Sequence, residues 1–154
     1  MSEGTASQTR SRPRPPKPQD AQQLALLCAA AAHAKKAEEM RLLEVGELSG
    51  FADYFLLASG RSTRQAAAIA ENVQRVLKKA GRPPLGVEGL RVGRWVLLDF
   101  GEVVVHVFHQ PVRDFYDLDS LWGDAPEVEL NFQELDTLLP PARPDFRPAH
   151  EDWD

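Results

Sequence analysis

The sequence predicts a small α/β domain in which helices flank a small mixed β-sheet. Segments typical of the two structures follow one another in the order helix, strand, strand, helix, strand, strand, helix, which favours layered α/β packing. Residues 95–108 hold two six-residue apolar runs rich in valine, leucine and aromatics, a composition typical of the paired centre of a sheet. Residues 62–80 form a strongly amphipathic segment that predicts a helix able to cover such a sheet.

The first helix is predicted from about Asp20 to Glu39, because this alanine-rich segment has a high helix propensity. Its apolar stripe, at 3.6-residue spacing, consists of Leu24, Leu27, Cys28 and Ala31. A short strand is predicted at 42–45. After a break rich in glycine and serine, a second strand is predicted at 54–58.

The second long helix is predicted to begin at Ser62, whose hydroxyl can form a capping box with Gln65. Its apolar face comprises Ala66, Ile69, Ala70, Val73, Val76, Leu77 and Ala80. The opposite face, expected to meet water, comprises Glu71, Asn72, Arg75, Lys78 and Lys79. Gly81 suits the left-handed position that follows a helix end.

Strands at 95–100 and 103–108 are predicted to pair antiparallel across a tight turn at Gly101 and Glu102. Pro83 and Pro84 favour an extended connector before them, since proline resists both helix and central strand. The hairpin is therefore expected to enter the sheet from an extended loop.

Alternation along the first of these strands places its residues on two faces. One face carries Trp95, Leu97 and Asp99, and the other carries Val96, Leu98 and Phe100. If helices cover only the second face, the first exposes an aromatic anchor, an aliphatic side chain and a single acid, which is the composition of a binding hot spot. The alternative is that Trp95 lies in the core and Asp99 caps a turn, and the pattern leaves both open.

Two shorter helices are predicted toward the C-terminus. The segment 113–123 is expected to form a helix with one face made of Phe115, Leu118, Leu121 and Trp122. Its carboxylates Asp114, Asp117 and Asp119 are interpreted as a solvated face. Asn131 and Glu134 predict a capping box for a second helix, which carries Phe132, Leu135, Leu138 and Leu139.

Composition divides the chain into three parts: a basic arm at 1–19 rich in proline and serine, expected to be disordered; a domain at 20–125; and an acidic, proline-rich tail at 126–154. The formal charge is +3 over residues 1–19, −1 over 20–123 and −7 over 124–154. A nearly neutral domain argues against a nucleic-acid binder that neutralises many phosphates.

The sequence also indicates the compartment. Cys28 is the only cysteine, so no disulfide framework is expected, and the thiol is interpreted as buried and inert. No apolar run approaches the roughly 20 residues that span a bilayer, and the N-terminus lacks the layout of a secretory signal. A cytoplasmic protein without a membrane partner is expected.

The sequence predicts no catalytic, metal or cofactor site. The triplet from Asp99 to Gly101 matches the kinase magnesium motif, but the other kinase motifs are missing. His106 and His109 are three residues apart on one strand, which points their rings to opposite faces. The glycines at 86, 89 and 93 do not have the spacing of a phosphate-binding loop.

Four blocks of the chain, taken in order, resemble the ribosomal silencing factor family, also called RsfS or Iojap. They are FADYFLLASGRSTRQ at 51–65, PLGVEG at 84–89, WVLLDFGEVVVHVF at 95–108 and RDFYDLDSLWGDAP at 113–126. The resemblance implies a nucleotidyltransferase-like fold lacking catalytic carboxylates. It also implies a factor that docks on large-subunit ribosomal protein fourteen, keeps the small subunit from joining and lowers translation when nutrients are scarce.

The resemblance assigns a partner surface to Trp95, Leu97, Asp99, Glu88, Tyr116 and Trp122. The Trp95 ring would be buried against the ribosomal protein, and Asp99 and Glu88 would meet its basic side chains. Tyr116 and Trp122 could equally close the domain's own core. Contact of the N-terminal arm with ribosomal RNA and a homodimer of the free protein are left open.

Two other functions are alternatives to a silencing factor. One is an active nucleotide-transferring enzyme with a site built from Asp53, Asp99 and Asp117, although Ser59 and Gly60 are not followed by the carboxylate pair that such enzymes need. The other is an assembly factor that stays on maturing large subunits. It would use the same surface as a silencing factor, so the sequence does not separate the two.

Overall fold

Within residues 15–140, the part of the chain that the computed structural model describes, one mixed β-sheet organises the fold. The strands are β1 (Glu38–Glu44), β2 (Tyr54–Gly60), β3 (Gly86–Glu88), β4 (Trp95–Asp99), β5 (Val103–His109) and β6 (Glu127–Val128). The helices are α1 (Ala21–Ala34), α2 (Gly46–Ser49), α3 (Thr63–Lys79), α4 (Gln110–Tyr116), α5 (Leu118–Leu121) and α6 (Phe132–Asp136).

The strand order is β3-β4-β5-β2-β1-β6. β2 and β5 run parallel at the centre, and every other neighbouring pair is antiparallel. The predicted mixed α/β sheet is therefore confirmed, and so is the antiparallel hairpin of β4 and β5. The connector after Pro83 and Pro84 adds a short edge strand, β3, which pairs with β4.

The main core lies between one face of the sheet and the pair α1 and α3. Val96, Leu98 and Phe100 point into it, as the alternation of β4 predicts. They meet apolar side chains of both helices, among them Leu24, Cys28, Ile69 and Val73, which are fully buried. Covering this face with two helices leaves the opposite face to the shorter elements.

The first helix ends earlier than predicted. Asp20 caps it by accepting a hydrogen bond from the Gln23 N–H at 2.8 Å, but the helix stops at Ala34 and not at Glu39. Lys36 has a positive φ of 65°, and the chain turns there into β1, whose Glu38 pairs with Ser59 of β2. Sheet pairing thus overrides the helix propensity of the last residues.

The second long helix begins as predicted, with one difference in its cap. The Ser62 hydroxyl accepts from the Gln65 N–H at 3.0 Å, while the Gln65 side chain accepts from the N–H of Arg61 at 2.7 Å. Asn72, expected to face water, is 6% exposed and donates to the Ala31 carbonyl at 2.8 Å. This buried amide ties α3 to α1.

The helix predicted at 113–123 is broken in two. Asp117 adopts a left-handed φ of 53° between α4 and α5. As a result, Leu118 is buried, whereas Phe115 and Leu121 are 80% and 70% exposed. The single apolar face expected for this segment is therefore wrong.

Residues 126–140 continue the fold beyond the boundary expected at 125. β6 pairs with β1, and α6, capped by Asn131 as predicted, packs on α1 through buried Leu135. The Phe132 ring stacks on His33 with centroids 4.6 Å apart. Most of the arm predicted at 1–19 and the end of the tail lie outside the described residues.

Candidate interaction surface

The second face of the sheet is covered only in part. α4 packs over β5 and β2, and Leu118 of α5 joins a smaller core with residues such as Leu43, Phe55, Leu57 and Phe108. Toward the β3 edge, Trp95 and Leu97 of β4 border this core and stay partly exposed. The uncovered area lies where the sequence predicts a partner surface.

Strand register gathers the predicted residues on this face. Leu97 pairs with Glu88 of β3 on one side and with His106 of β5 on the other, and directly paired residues point to the same face. Trp95 pairs with Phe108 in the same way. We define the Trp95 surface as Glu88, Trp95, Leu97, Asp99 and Tyr116.

The indole of Trp95 is fixed by its neighbours. Its Nε1–H donates to Nδ1 of His106 at 3.1 Å, and its ring lies 5.0 Å from Phe108 and 5.2 Å from Tyr116, measured between centroids. One side of the ring therefore belongs to the small core while the other remains accessible. The sequence left open whether Trp95 is an exposed anchor or a core residue, and the structure shows part of each.

The sequence does not predict the role of His106, a buried residue of β5 that supports the Trp95 surface. It is 6% exposed, and burial lowers the pKa of its imidazole to about 4, so the ring is neutral near pH 7. Because Nδ1 accepts from Trp95, the proton resides on Nε2, which has no hydrogen-bond partner among the described residues. The hairpin turn could have revealed this residue, since pairing across it sets His106 opposite Leu97.

The two acids of the Trp95 surface differ in exposure and in hydrogen bonding. Asp99 caps the hairpin turn, with Oδ1 accepting from the Gly101 N–H at 2.8 Å, and its side chain is half-buried. Glu88 is exposed on the edge strand β3. Asp99 thus has the turn role that the sequence left open, while part of its carboxylate stays available to solvent.

Tyr116 and Trp122, the two aromatic residues assigned near the last helices, lie in different environments. Tyr116 is 57% exposed and its ring lies beside Trp95, tilted by 49°, whereas Trp122 is half-buried with its ring edge-on to Phe55 at 5.0 Å. Trp122 therefore closes the small core, as the second interpretation of this residue had it. Phe115, which is 80% exposed and 5.1 Å from the Tyr116 ring, extends the apolar area instead.

A buried arginine fixes the covering helices to the sheet. Arg113 is 3% exposed and donates to both carboxylate oxygens of Asp119 at 2.9 and 2.8 Å, to the Glu39 carbonyl at 2.7 Å and to the Ser59 hydroxyl at 2.8 Å. Arg41 binds the same Asp119 at 3.0 Å. The two arginines lower the Asp119 pKa to about 2. The solvated face expected for Asp119 is therefore wrong.

The structure gathers no metal site among residues 15–140, where no three His, Cys, Asp or Glu side chains are grouped to hold an ion. Asp53, Asp99 and Asp117, considered as an enzyme site, are among the residues searched and do not form such a group. Cys28 is fully buried, and burial raises the pKa of its thiol. Within the same range, no helix is both long and apolar enough to cross a bilayer.

Comparison with known proteins finds one family that matches most of the chain. Residues 18–152 match the family model described as "Ribosomal silencing factor during starvation". The chain is 45% identical over 109 residues to the ribosomal silencing factor RsfS of Halalkalibacterium halodurans, an alignment that covers 71% of this chain and 93% of the relative. It is 43% identical over 106 residues to RsfS of Bacillus subtilis, covering 69% and 90%.

Solved structures and a distant relative extend this likeness. A crystal structure of a Chromobacterium violaceum protein superposes with a TM-score of 0.67 at 39% identity, covering 68% of this chain and 88% of that one. The mouse protein named "Mitochondrial assembly of ribosomal large subunit protein 1" is 30% identical over 91 residues, which cover 57% of this chain and 40% of the mouse protein.

Proposed function

The chain belongs to the ribosomal silencing factor family, and we propose that it binds the large ribosomal subunit and blocks association with the small subunit. In this proposal it lowers translation when nutrients are limiting. The observation that carries the proposal is the Trp95 surface, an aromatic area left uncovered on an otherwise well-packed sheet.

The partner that we propose for this surface is large-subunit ribosomal protein fourteen. Trp95 and Tyr116 offer a central aromatic pair, and aromatic anchors dominate binding energies at interfaces. Glu88 and Asp99 lie beside them and supply negative charge at the rim. These charges would attract a basic partner and fix its position on the surface. The bond from Trp95 to His106 holds the anchor in place before binding, which reduces the entropy that docking costs.

The proposed mechanism is steric exclusion. A specific protein contact needs only about 800 Å² on each partner, far less than the contact between two ribosomal subunits. The factor therefore competes by occupying free large subunits before joining, and not by prying subunits apart. Steric exclusion needs no catalytic step. In this proposal the protein has a nucleotidyltransferase-like fold without catalytic activity, and it acts in the cytoplasm.

Binding of purified large subunits by two variants tests the proposed surface. Trp95→Ala is expected to weaken binding by about 2 kcal/mol, roughly thirtyfold, as loss of a central aromatic anchor does. Phe132→Ala is the matched control, since it removes a partly exposed ring from α6, which packs on α1 on the far side of the sheet. Circular dichroism verifies that both variants are folded. Equal affinities for Trp95→Ala and the wild type would contradict the proposal.

A second function is favoured by one of the relatives. The mouse protein is named for assembly of the large ribosomal subunit, and an assembly factor could dock through the same residues. In that case deletion of the gene would cause large-subunit precursors to accumulate in growing cells. Silencing alone instead predicts normal subunits and a failure to reduce translation on starvation. Sedimentation profiles of a deletion strain in the two conditions separate these functions.

A further inference from the structure

Positive side chains gather at one end of the sheet. Lys35 and Lys36 follow the end of α1 there, and their carbonyls both accept from the Gln65 side chain at 3.4 Å. Arg61 follows the end of β2 at the same place, and Arg64 lies in the first turn of α3. We define the basic end as Lys35, Lys36, Arg61, Arg64, Arg91 and Arg94, all of which are exposed.

The loop that carries Arg91 and Arg94 is seated tightly against α3. Gly93 has a φ of 81°, and a Cβ added to it would lie 2.4 Å from the Thr63 carbonyl oxygen, so only glycine permits this approach. The Arg94 carbonyl accepts from the His109 N–H at 2.9 Å, at the end of β5. These contacts fix both arginines beside the start of α3.

A shallow hollow connects the loop with the helix. Its volume is about 710 Å³, and it is bordered by Arg64 and Arg91 together with the exposed side chain of Val92. Among the described residues that line it, Glu71 is the one acid. Arg61 forms an ion pair with Glu38 at 2.7 Å, but no ion pair of Arg91 or Arg94 occurs within residues 15–140.

The opposite end of the sheet has the opposite sign. A second hollow, of about 650 Å³, is lined by five carboxylates, Asp20, Glu44, Glu47, Asp53 and Asp124. They lie where α1 and β2 begin and where β1 ends. The formal charge of −1 over residues 20–123 therefore conceals an uneven distribution, with four of these five carboxylates at one end of the sheet and the six basic side chains at the other. A nearly neutral domain is not expected to neutralise many phosphates over its whole surface, but its basic end can still contact a few of them.

We infer that the basic end contacts the phosphate backbone of ribosomal RNA while the Trp95 surface holds the ribosomal protein. The inference rests on the proposed function and adds a second contact to it. Arg94 immediately precedes Trp95, so the basic end begins where β4 starts. Arginine guanidinium groups match phosphate geometry, and such contacts set orientation without reading sequence. The acidic end, by the same charges, is kept away from RNA.

Hydroxyl-radical cleavage of ribosomal RNA in purified large subunits tests the contact. Bound wild-type protein is expected to protect riboses beside its docking site, and the double variant R91Q/R94Q is expected to lose that protection. The matched control K78Q/K79Q removes two exposed charges at the far end of α3, about 25 Å away for 17 residues. It should keep the wild-type footprint.

The salt dependence of binding gives a second readout. Each phosphate contact contributes about 0.7 to 0.9 to the slope of log affinity against log salt, so loss of two contacts lowers the slope by about 1.5. Between 50 and 200 mM salt, R91Q/R94Q should lose about eightfold less affinity than the wild type.

The outcomes separate the two proposals. If the wild type binds large subunits and R91Q/R94Q has the same footprint and salt slope, the RNA contact is wrong and the proposed function stands. If affinity falls but the footprint is unchanged, the partner of the basic end is a protein, which also overturns the inference. If the wild type does not bind at all, the proposed function fails and the RNA contact fails with it.

Discussion

The indole of Trp95 combines two environments that strand alternation does not distinguish. Its ring borders the small core beside Phe108, while its accessible side faces the uncovered part of the sheet. The hydrogen bond to His106 joins these environments, because it requires a neutral imidazole whose Nδ1 is free to accept. The protonation state of one buried histidine thus bears on the orientation of the proposed anchor.

The pH dependence of stability should reveal this histidine. The pKa of His106 is lowered from 6.5 to about 4, so between pH 6.5 and 4 this imidazole binds a proton in the unfolded chain but stays neutral in the folded one. The free energy of unfolding should therefore fall as the pH drops from 6.5 to 4, by up to about 3 kcal/mol from this group. Urea unfolding across this range measures the effect. The free energy of unfolding of His106→Phe should depend less on pH than that of the wild type. Parallel curves for the two proteins would contradict the lowered pKa of His106.

At the scale of elements, α4 and α5 determine how much of the sheet is covered. Their break at Asp117 turns Leu118 inward, while Arg113 anchors them to β1 and β2 through Glu39 and Ser59. Removing a buried charge partner leaves the remaining polar groups unpaired, which costs more than loss of a surface ion pair. The position of this helical pair, and with it Tyr116, depends on Arg113.

Substitution of the two arginines that share Asp119 should have unequal effects. Arg113→Met is expected to lower the free energy of unfolding by about 3 kcal/mol, because Asp119, Ser59 and Glu39 lose their buried donor. Arg41→Met removes a side chain that is 30% exposed and should cost about 1 kcal/mol or less. Chemical denaturation compares them. Similar losses would show that Arg113 is no stronger an anchor than a surface residue.

Two glycines of the β3 region form a matched pair for the start of β4. A Cβ on Gly89, whose φ is 81°, would lie 2.1 Å from the Trp95 carbonyl oxygen, whereas a Cβ on Gly86 meets nothing within 4 Å. Gly89→Ala should therefore displace Trp95, cost about 2 kcal/mol of stability and weaken binding to large subunits. Gly86→Ala should leave both unchanged. Unfolding and co-sedimentation measure the two effects, and equal behaviour of the variants would be inconsistent with the geometry.

Sequence patterns predict some of these elements and miss others. The long amphipathic helix and the hairpin follow from periodicity, since their burial is decided by the elements themselves. The break at Asp117 and the burial of Arg113 do not, because they depend on partners distant in sequence, such as Glu39 and Ser59. For the same reason, the separation of Tyr116 from Trp122 and the bond from Trp95 to His106 emerge only in three dimensions.

At the scale of the whole molecule, one face of the sheet is sealed by α1 and α3 and the other is left partly open. Charge varies along a second direction, from the carboxylates at the start of β2 to the arginines after its end. A partner that offers basic protein beside RNA matches both features. The surface of a ribosomal subunit has that character.

Steric exclusion predicts a dependence on the order of addition. Protein added to separated subunits should reduce their joining, whereas the same amount added to preassembled ribosomes should leave the sedimentation profile unchanged. The reason is that the proposed docking area is buried once the subunits have joined. Rapid splitting of intact ribosomes would contradict this mechanism and indicate an active dissociation factor.

The most direct test of the central claim is the fraction of large subunits that join small subunits after incubation with wild-type protein or with Trp95→Ala. The account predicts that the wild type co-sediments with large subunits and reduces joining, and that the variant, folded by circular dichroism, does neither. A variant that still blocks joining, or a wild type that binds without reducing it, would contradict the claim that the Trp95 surface silences the ribosome by exclusion.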